Sequence, residues 1–175
     1  LDVNIINHEK RADKLTKKGC SYLSNRHIPM ENKLALINAL SWKNPELDER
    51  PLTNYNTFLN FLSKKYNHQF QLEKMVPYTN SELLCLAYLR AMDDYFNMKA
   101  PKVIINKIKG DIETTLSFHI IKYLIYSQEL IEDESRWCEI RENYNAIFSN
   151  QNLIVDMKNE SISDISSYID GYQEY

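Results

Sequence analysis

Residues 79–98 read TNSELLCLAYLRAMDDYFNM, and this stretch carries the clearest structural signal in the chain. Thr79 followed three residues later by Glu82 is the capping-box arrangement, in which each side chain bonds the other residue's backbone N–H at a helix start. Arg90 and Asp94 are spaced for an i,i+4 ion pair. Apolar residues recur at helical spacing at Leu84, Ala87, Tyr88, Ala91 and Tyr95. The pattern predicts a helix from Asn80 to Met98.

Helical periodicity continues on both sides of this stretch. The other predicted helices are Ile5 to Asn25, one after Pro29, Asn54 to Tyr66, one after Pro101, Asp111 to Asp133, Glu134 to Phe148, and one over residues 162–172. The segment Asp111 to Asp133 is apolar on most sides, which is typical of the central helix of a bundle. We therefore expect it to be the most buried element.

The composition favours helices throughout. Only 3 Gly and 5 Pro are present in 175 residues, whereas sandwiches and barrels depend on glycine for their turns. A chain of this length fits one domain. The prediction is an all-α protein with a single helical domain over residues 1–175. It is an irregular bundle of about seven helices, with at most one minor short hairpin near Gln69–Leu72 or Leu153–Val155.

Charge is divided sharply along the chain. Residues 1–109 contain 17 Lys/Arg and 11 Asp/Glu, a net charge of +6. Residues 110–175 contain 4 and 13, a net charge of −9. Such asymmetry bears on partners and on association rates rather than on fold.

Motifs for nucleotide, metal or nucleophilic chemistry are absent from the sequence. The three glycines are too far apart for a phosphate-binding loop, and no His or Cys stands at metal-ligand spacing from another ligand. We therefore predict no catalytic residue, no cofactor and no metal, and that the protein is not an enzyme. An enzyme whose site is assembled in space, around His119 or a Cys beside a carboxylate, is kept as a third hypothesis.

The number and spacing of the cysteines and the hydropathy of the chain bear on the cellular location of the protein. Three cysteines lie far apart, at Cys20, Cys85 and Cys138, and their odd number favours a reducing cytoplasm over a disulfide scaffold. No run of about 18 apolar residues is present, so no membrane span is expected. The abundance of Asn, Ile, Lys and Tyr is typical of AT-rich genes, including bacterial ones.

The acidic last third contains the predicted binding surface. Acids cluster where two predicted helices join, and others alternate with tyrosines, which are enriched at the centres of interfaces. The predicted partner-binding residues are Glu129, Glu132, Asp133, Glu134, Glu139, Glu142, Asp164, Tyr168 and Tyr172. The opposite feature, a lysine face at Lys10, Lys14, Lys17 and Lys18, is interpreted as an ordinary solvated face, so a nucleic-acid partner is not expected.

These observations favour a cytoplasmic binding protein that neutralises a basic protein partner. Its concrete form is an immunity protein or antitoxin that masks a cationic toxin, such as a nuclease. The alternative is a helical domain of a pathogen effector or viral host-interaction protein, which docks a host protein through an apolar groove.

Overall fold

The computed structural model describes residues 3–40, 52–69, 77–131 and 133–171. Over these ranges the chain forms nine α-helices and no strand, which confirms the all-α class. The helices are α1 Val3–Ala12, α2 Lys17–Leu23, α3 Met30–Ala39, α4 Thr53–Tyr66, α5 Asn80–Asp93, α6 Lys99–Ile105, α7 Leu116–Ile131, α8 Trp137–Phe148 and α9 Asn159–Ile169.

Two compact units divide the chain. The N-terminal unit is Leu1–Ile108 and contains α1 to α6, and the C-terminal unit is Lys109–Tyr175 and contains α7 to α9. The boundary falls next to the point where the charge changes sign in the sequence. The expectation of a single domain stays a prediction.

Helix α5 is the centre of the N-terminal unit, because α3, α4 and α6 all pack against it. Twelve of its fourteen residues are buried. In α7, which covers most of the segment predicted to be most buried, eight of sixteen residues are buried. That prediction was wrong because α5 buries charged as well as apolar side chains, among them Glu82, Arg90 and Asp93.

The predicted cap of α5 is confirmed. Thr79 Oγ1 accepts the Glu82 N–H at 3.2 Å, and a Glu82 carboxylate oxygen accepts the Thr79 N–H at 2.9 Å. Near the other end, Arg90 Nη2 lies 2.9 Å from Asp94 Oδ2, as the i,i+4 spacing predicts. The helix ends at Asp93, five residues before the predicted end, because Asp94 leaves helical geometry with φ −147° and ψ 81°.

The first predicted helix, Ile5 to Asn25, is two helices in the structure. Asp13 has φ 49°, in the left-handed region, and it ends α1. The chain then turns so that Thr16 donates from its N–H and its hydroxyl to the Glu9 carboxylate, both at 2.6 Å. Glu9 is fully buried, so this contact fixes α1 against the start of α2.

Gly19 lies inside α2 and does not end it. A Cβ at this position would lie 2.7 Å from the Glu9 carboxylate and 2.7 Å from Leu15 Cδ1. Both neighbours are buried, and the carboxylate is held by Thr16, so neither is free to move aside.

Replacing Gly19 by alanine is therefore expected to destabilise the protein by about 1–2 kcal/mol. Overpacking costs about 1–3 kcal/mol, and the better helix propensity of alanine returns up to about 1 kcal/mol. Urea unfolding followed by far-UV circular dichroism measures the change. Gly171→Ala is the control, since its nearest neighbour would be a backbone oxygen at 3.1 Å near the end of α9. A stabilised Gly19→Ala protein would contradict this close packing.

In the C-terminal unit, α8 packs against α7 and α9. The buried core of this unit consists of Leu116, Ile120, Ile140, Tyr144 and Ile169. Asp156 accepts hydrogen bonds from the N–H of Ser117 at 2.9 Å and from its hydroxyl at 2.5 Å, and so caps the first turn of α7.

The predicted hairpin sites have different outcomes. At Leu153–Val155 the structure has a single parallel bridge between Ile154 and Thr115 rather than a hairpin. The other predicted site, near Gln69–Leu72, lies outside the described residues from position 70 onward. None of the described helices has the length and hydropathy needed to cross a bilayer.

Candidate functional site

The predicted acidic surface lies on the elements of the C-terminal unit. Glu129 is exposed near the end of α7, Asp133 and Glu134 are exposed on the turn that leads to α8, and Glu142 is exposed on α8 itself. On α9, Asp164 and Tyr168 are exposed, and Tyr168 retains 64% of its accessible surface. Glu139 is half-buried on α8. The other two predicted residues, Glu132 and Tyr172, lie outside the described residues.

Two of the predicted acids already have strong intramolecular partners. Glu139 makes a bidentate ion pair with Arg136, with N–O distances of 2.8 and 2.9 Å. The hydrogen bonds from Arg136 hold the pKa of Glu139 below its usual value. Asp133 Oδ1 accepts hydrogen bonds from the Ser135 N–H and hydroxyl at 3.1 and 2.6 Å. These two carboxylates are therefore less available to a partner than their sequence suggested.

The remaining negative charge is concentrated in five side chains that we call the open acids. Each is exposed, and none has an ion pair or side-chain hydrogen bond in the part of the chain that the structure describes. The open acids are Asp111, Glu134, Glu142, Glu160 and Asp164. Three of the five belong to the predicted site.

Two of the open acids lie on helices that pack against each other. Glu142 is on α8 and Asp164 is on α9, and the buried residues Ile140, Tyr144 and Ile169 of the same helices share one apolar cluster. Each of these two helices therefore exposes an open acid while it packs on a common core.

Tyrosines divide between core and surface. Tyr123 and Tyr144 form an edge-to-face pair with ring centroids 4.7 Å apart, so they contribute to packing. Tyr168 is the exposed tyrosine that sequence analysis predicted. Sequence analysis missed Ile154 and Val155, which are 58% and 63% exposed. Their signal is weak, because two adjacent apolar residues outside a helical pattern are expected to anchor a loop in the core.

A second polar cluster lies in the N-terminal unit around the buried Glu82 carboxylate. It accepts hydrogen bonds from Ser24 Oγ at 3.0 Å, Lys65 Nζ at 2.8 Å and Tyr66 Oη at 2.9 Å. Thr79 adds its N–H and its hydroxyl at 2.9 and 3.0 Å. Five donors satisfy one carboxylate, so this cluster joins α2 and α4 to the start of α5.

The pKa of Glu82 reflects two opposing effects. Burial alone would raise the pKa of this carboxyl. The hydrogen bonds from Lys65, Thr79, Tyr66 and Ser24 together outweigh burial and lower the pKa below its usual value. Glu82 is thus held as an anion, with its lone pairs directed at groups of the protein itself.

The two cysteine thiols of the N-terminal unit are not activated as nucleophiles. Cys85 is fully buried, and burial raises its pKa to about 12. Cys20 has its pKa raised to about 12 by burial and by the nearby Glu9 carboxylate. Both are therefore neutral thiols near pH 7. Lys33 is 1% exposed and donates to Ser81 Oγ at 2.8 Å, and burial lowers its pKa.

The remaining candidates for chemistry have local contacts only. His119 Nε2 lies 2.9 Å from the Glu113 carbonyl oxygen, and it does not meet a Cys or a carboxylate side chain in the contacts described. Within the described ranges, no group of three or more His, Cys, Asp or Glu residues is arranged to share a metal ion.

The lysine face is interrupted by the break between the first two helices. Lys10 lies in the last turn of α1, Lys14 lies on the turn between the helices, and Lys17 and Lys18 begin α2. All four are exposed. The cations therefore follow a bend in the chain rather than one continuous helical face.

Comparison of the chain with protein-family models, with curated proteins and with solved structures finds no match.

Proposed function

We propose that this protein binds and neutralises a basic protein partner through the acidic surface of its C-terminal unit. In its concrete form it is a cytoplasmic immunity protein or antitoxin that masks a cationic toxin, for example a nuclease. The observation that carries the proposal is the set of five open acids, because their charge is left uncompensated by the unit's own cations.

Those cations are largely engaged already. Lys109 lies 3.4 Å from Glu113, Arg136 is paired with Glu139, and Arg141 lies 3.8 Å from Asp170. The open acids therefore give this unit an outward negative potential. Such a potential attracts a cationic protein and accelerates its association, by up to several orders of magnitude at low ionic strength.

Binding neutralises the partner because it covers the basic surface that the partner needs for its own activity. A cationic toxin that acts on nucleic acid uses its basic surface to bind phosphates. An acidic surface that covers the same region excludes the substrate. Exposed Tyr168 provides amphipathic contact area of the kind that slows dissociation once the two proteins are in contact.

Charge reversal tests the proposal. The variant Glu134→Lys/Glu142→Lys/Asp164→Lys is expected to associate about 10–100-fold more slowly at low salt, and its association rate is expected to depend less on salt. The control, Lys14→Glu/Lys17→Glu/Lys18→Glu, changes the same number of exposed charges and is expected to alter the rate less than about threefold. The partner is the basic protein retained by the wild type from its native cell, and surface plasmon resonance at two salt concentrations gives the rates.

Neutralisation is scored separately from binding. Production of the partner alone should slow cell growth, and co-production of the wild type, but not of the acidic-face variant, should restore it. Binding that is unchanged by the acidic reversals and lost with the lysine reversals would contradict the proposal. Binding that is insensitive to salt would favour the groove-docking alternative.

A further inference from the structure

We propose that Leu153–Val155 is an open β-edge, at which an extended segment of a partner protein containing Lys or Arg pairs as an added strand. This inference rests on the proposed function, because it specifies how the basic partner is held. It concerns residues different from the three acids tested above.

The existing bridge sets the geometry of this edge. Ile154 donates its N–H to the Thr114 carbonyl at 2.8 Å and accepts the Leu116 N–H at 2.9 Å. These are the two bonds of a parallel β-bridge between Ile154 and Thr115. Both backbone groups of Ile154 therefore point toward residues 114–116.

Because backbone groups alternate along a strand, those of the flanking residues point the other way. The Leu153 carbonyl and the Val155 N–H make no hydrogen bond in the part of the chain that the structure describes. Together they are the acceptor and the donor that a second parallel strand requires on the free side of Ile154. This unpaired edge is a template for strand addition.

The edge is held in place from both ends. Leu153 packs against the apolar core of the C-terminal unit, and its N–H bonds the Asn150 carbonyl at 3.2 Å. Asp156 is fixed by its two hydrogen bonds to Ser117, and Met157 packs against the same core. The segment is thus extended before a partner arrives, which lowers the ordering cost of binding.

Side chains along the edge are suited to an apolar contact. Two of the three apolar residues of this segment, Ile154 and Val155, remain 58% and 63% exposed. Adjacent residues of a strand point to opposite faces, so one apolar side chain is offered on each face. An added strand with β-branched residues would cover both.

Charge near the edge selects a basic segment. Two of the open acids lie close along the chain to residues of the bridge: Asp111 begins the turn that ends at Thr114, whose carbonyl bonds Ile154, and Glu160 lies five residues after Val155 in the first turn of α9. Both are exposed. The negative charge of these carboxylates attracts a lysine or arginine of an added strand and repels an acidic strand.

The test uses a capped hexapeptide of alternating lysine and valine, titrated into the isotopically labelled 175-residue protein and followed by nuclear magnetic resonance. We expect the Val155 amide resonance to shift and its hydrogen exchange to slow. The same peptide methylated on every backbone nitrogen keeps the charge but has no donor, and it should bind at least about tenfold more weakly. Equal binding of the methylated peptide, or of a capped glutamate–valine hexapeptide, would overturn the proposal.

A protein variant tests the same edge from the other side. Val155→Pro removes the N–H that an added strand needs, and the extended Ile154 before it tolerates a following proline. Binding of the lysine–valine peptide should fall at least about tenfold, while Val155→Ala should change it less than about threefold. Circular dichroism verifies that both variants are folded. If the proline variant unfolds, the comparison of the methylated with the unmethylated peptide on the wild type tests whether backbone pairing is needed for binding.

The outcome also separates this inference from the proposed function. If Val155→Pro retains the basic partner as well as the wild type does, and the acidic-face variant loses it, the open edge is wrong and the proposed function stands. If the acidic reversals have no effect and Val155→Pro abolishes binding, the edge stands and the role of the acids is wrong.

Discussion

Replacing Glu82 by alanine is expected to lower the free energy of unfolding by about 3–5 kcal/mol. Removing one member of a buried charged network leaves its partners without compensation, and the cost is of this size. Tyr66, Ser24 and Thr79 each lose an acceptor, and the capping box of α5 is lost as well. Lys65 is 38% exposed and can regain water, which keeps the expected loss within this range.

Two variants divide this effect into its parts. Thr79→Ala removes the N-cap side chain and keeps the carboxylate, so about 1 kcal/mol is expected. Glu82→Gln keeps the shape of the side chain and removes its charge, so it should fall between the other two. Urea unfolding followed by far-UV circular dichroism provides the values. A loss below about 1 kcal/mol for Glu82→Ala would show that the cluster does not join the helices as described.

The same residue makes stability depend on pH. Because the pKa of Glu82 is lower in the folded than in the unfolded state, its contribution is fully present above the unfolded value near 4.5. That contribution is lost as the pH falls through the lowered, folded value. The wild type should therefore lose more stability than Glu82→Gln between about pH 5 and pH 2. Parallel acid profiles of the two proteins would contradict the lowered pKa.

Replacing Leu86 by alanine is expected to cost about 2–5 kcal/mol, because its side chain is fully buried in α5 and its loss leaves a cavity. The matched control is Leu124→Ala, the same change at a half-buried position of α7, which should cost about 1 kcal/mol. Calorimetry or urea unfolding measures both. A larger loss at Leu124 than at Leu86 would restore the original expectation that the 111–133 segment is the most buried.

That expectation failed for a physical reason. Hydropathy favoured the segment Asp111 to Asp133 because α5 contains charged residues that the sequence presents as surface groups. Asp93 is buried in the structure, and its carboxylate accepts hydrogen bonds from the Asn54 side-chain amide at 2.8 Å and from the Tyr55 N–H at 2.7 Å. A buried charge with partners from another helix has no local signature, whereas Thr79–Glu82 and Arg90–Asp94, whose partners are three or four residues away, were predicted correctly.

The division of the first helix shows the same limit of sequence reasoning. No glycine or proline marks the break between Ala12 and Lys17. The Glu9 carboxylate of α1 accepts a hydrogen bond from the Thr16 N–H, seven residues ahead and just before α2 begins. The periodicity of apolar residues does not reveal such a contact.

The candidate site was predictable in its sign and its location along the chain. The asymmetry of charge identified the last third, and the open acids lie there. Which acids remain unpaired was not predictable, because Arg136 lies three residues from Glu139 and equally close to Asp133, and only geometry selects Glu139. The exposed pair Ile154–Val155 was missed because a short apolar run in a sequence is typical of buried residues.

The three thiols make the two units separately observable. Cys20 and Cys85 are buried in the N-terminal unit as neutral thiols, so a soluble maleimide reaches them only when that unit opens. Cys138 is partly exposed in the C-terminal unit and reports on its own surroundings without opening of the other. Timed alkylation followed by peptide mass spectrometry therefore yields an opening rate for the N-terminal unit with no introduced probe. The same labelling, carried out inside cells, measures whether a bound partner slows the opening of the N-terminal unit.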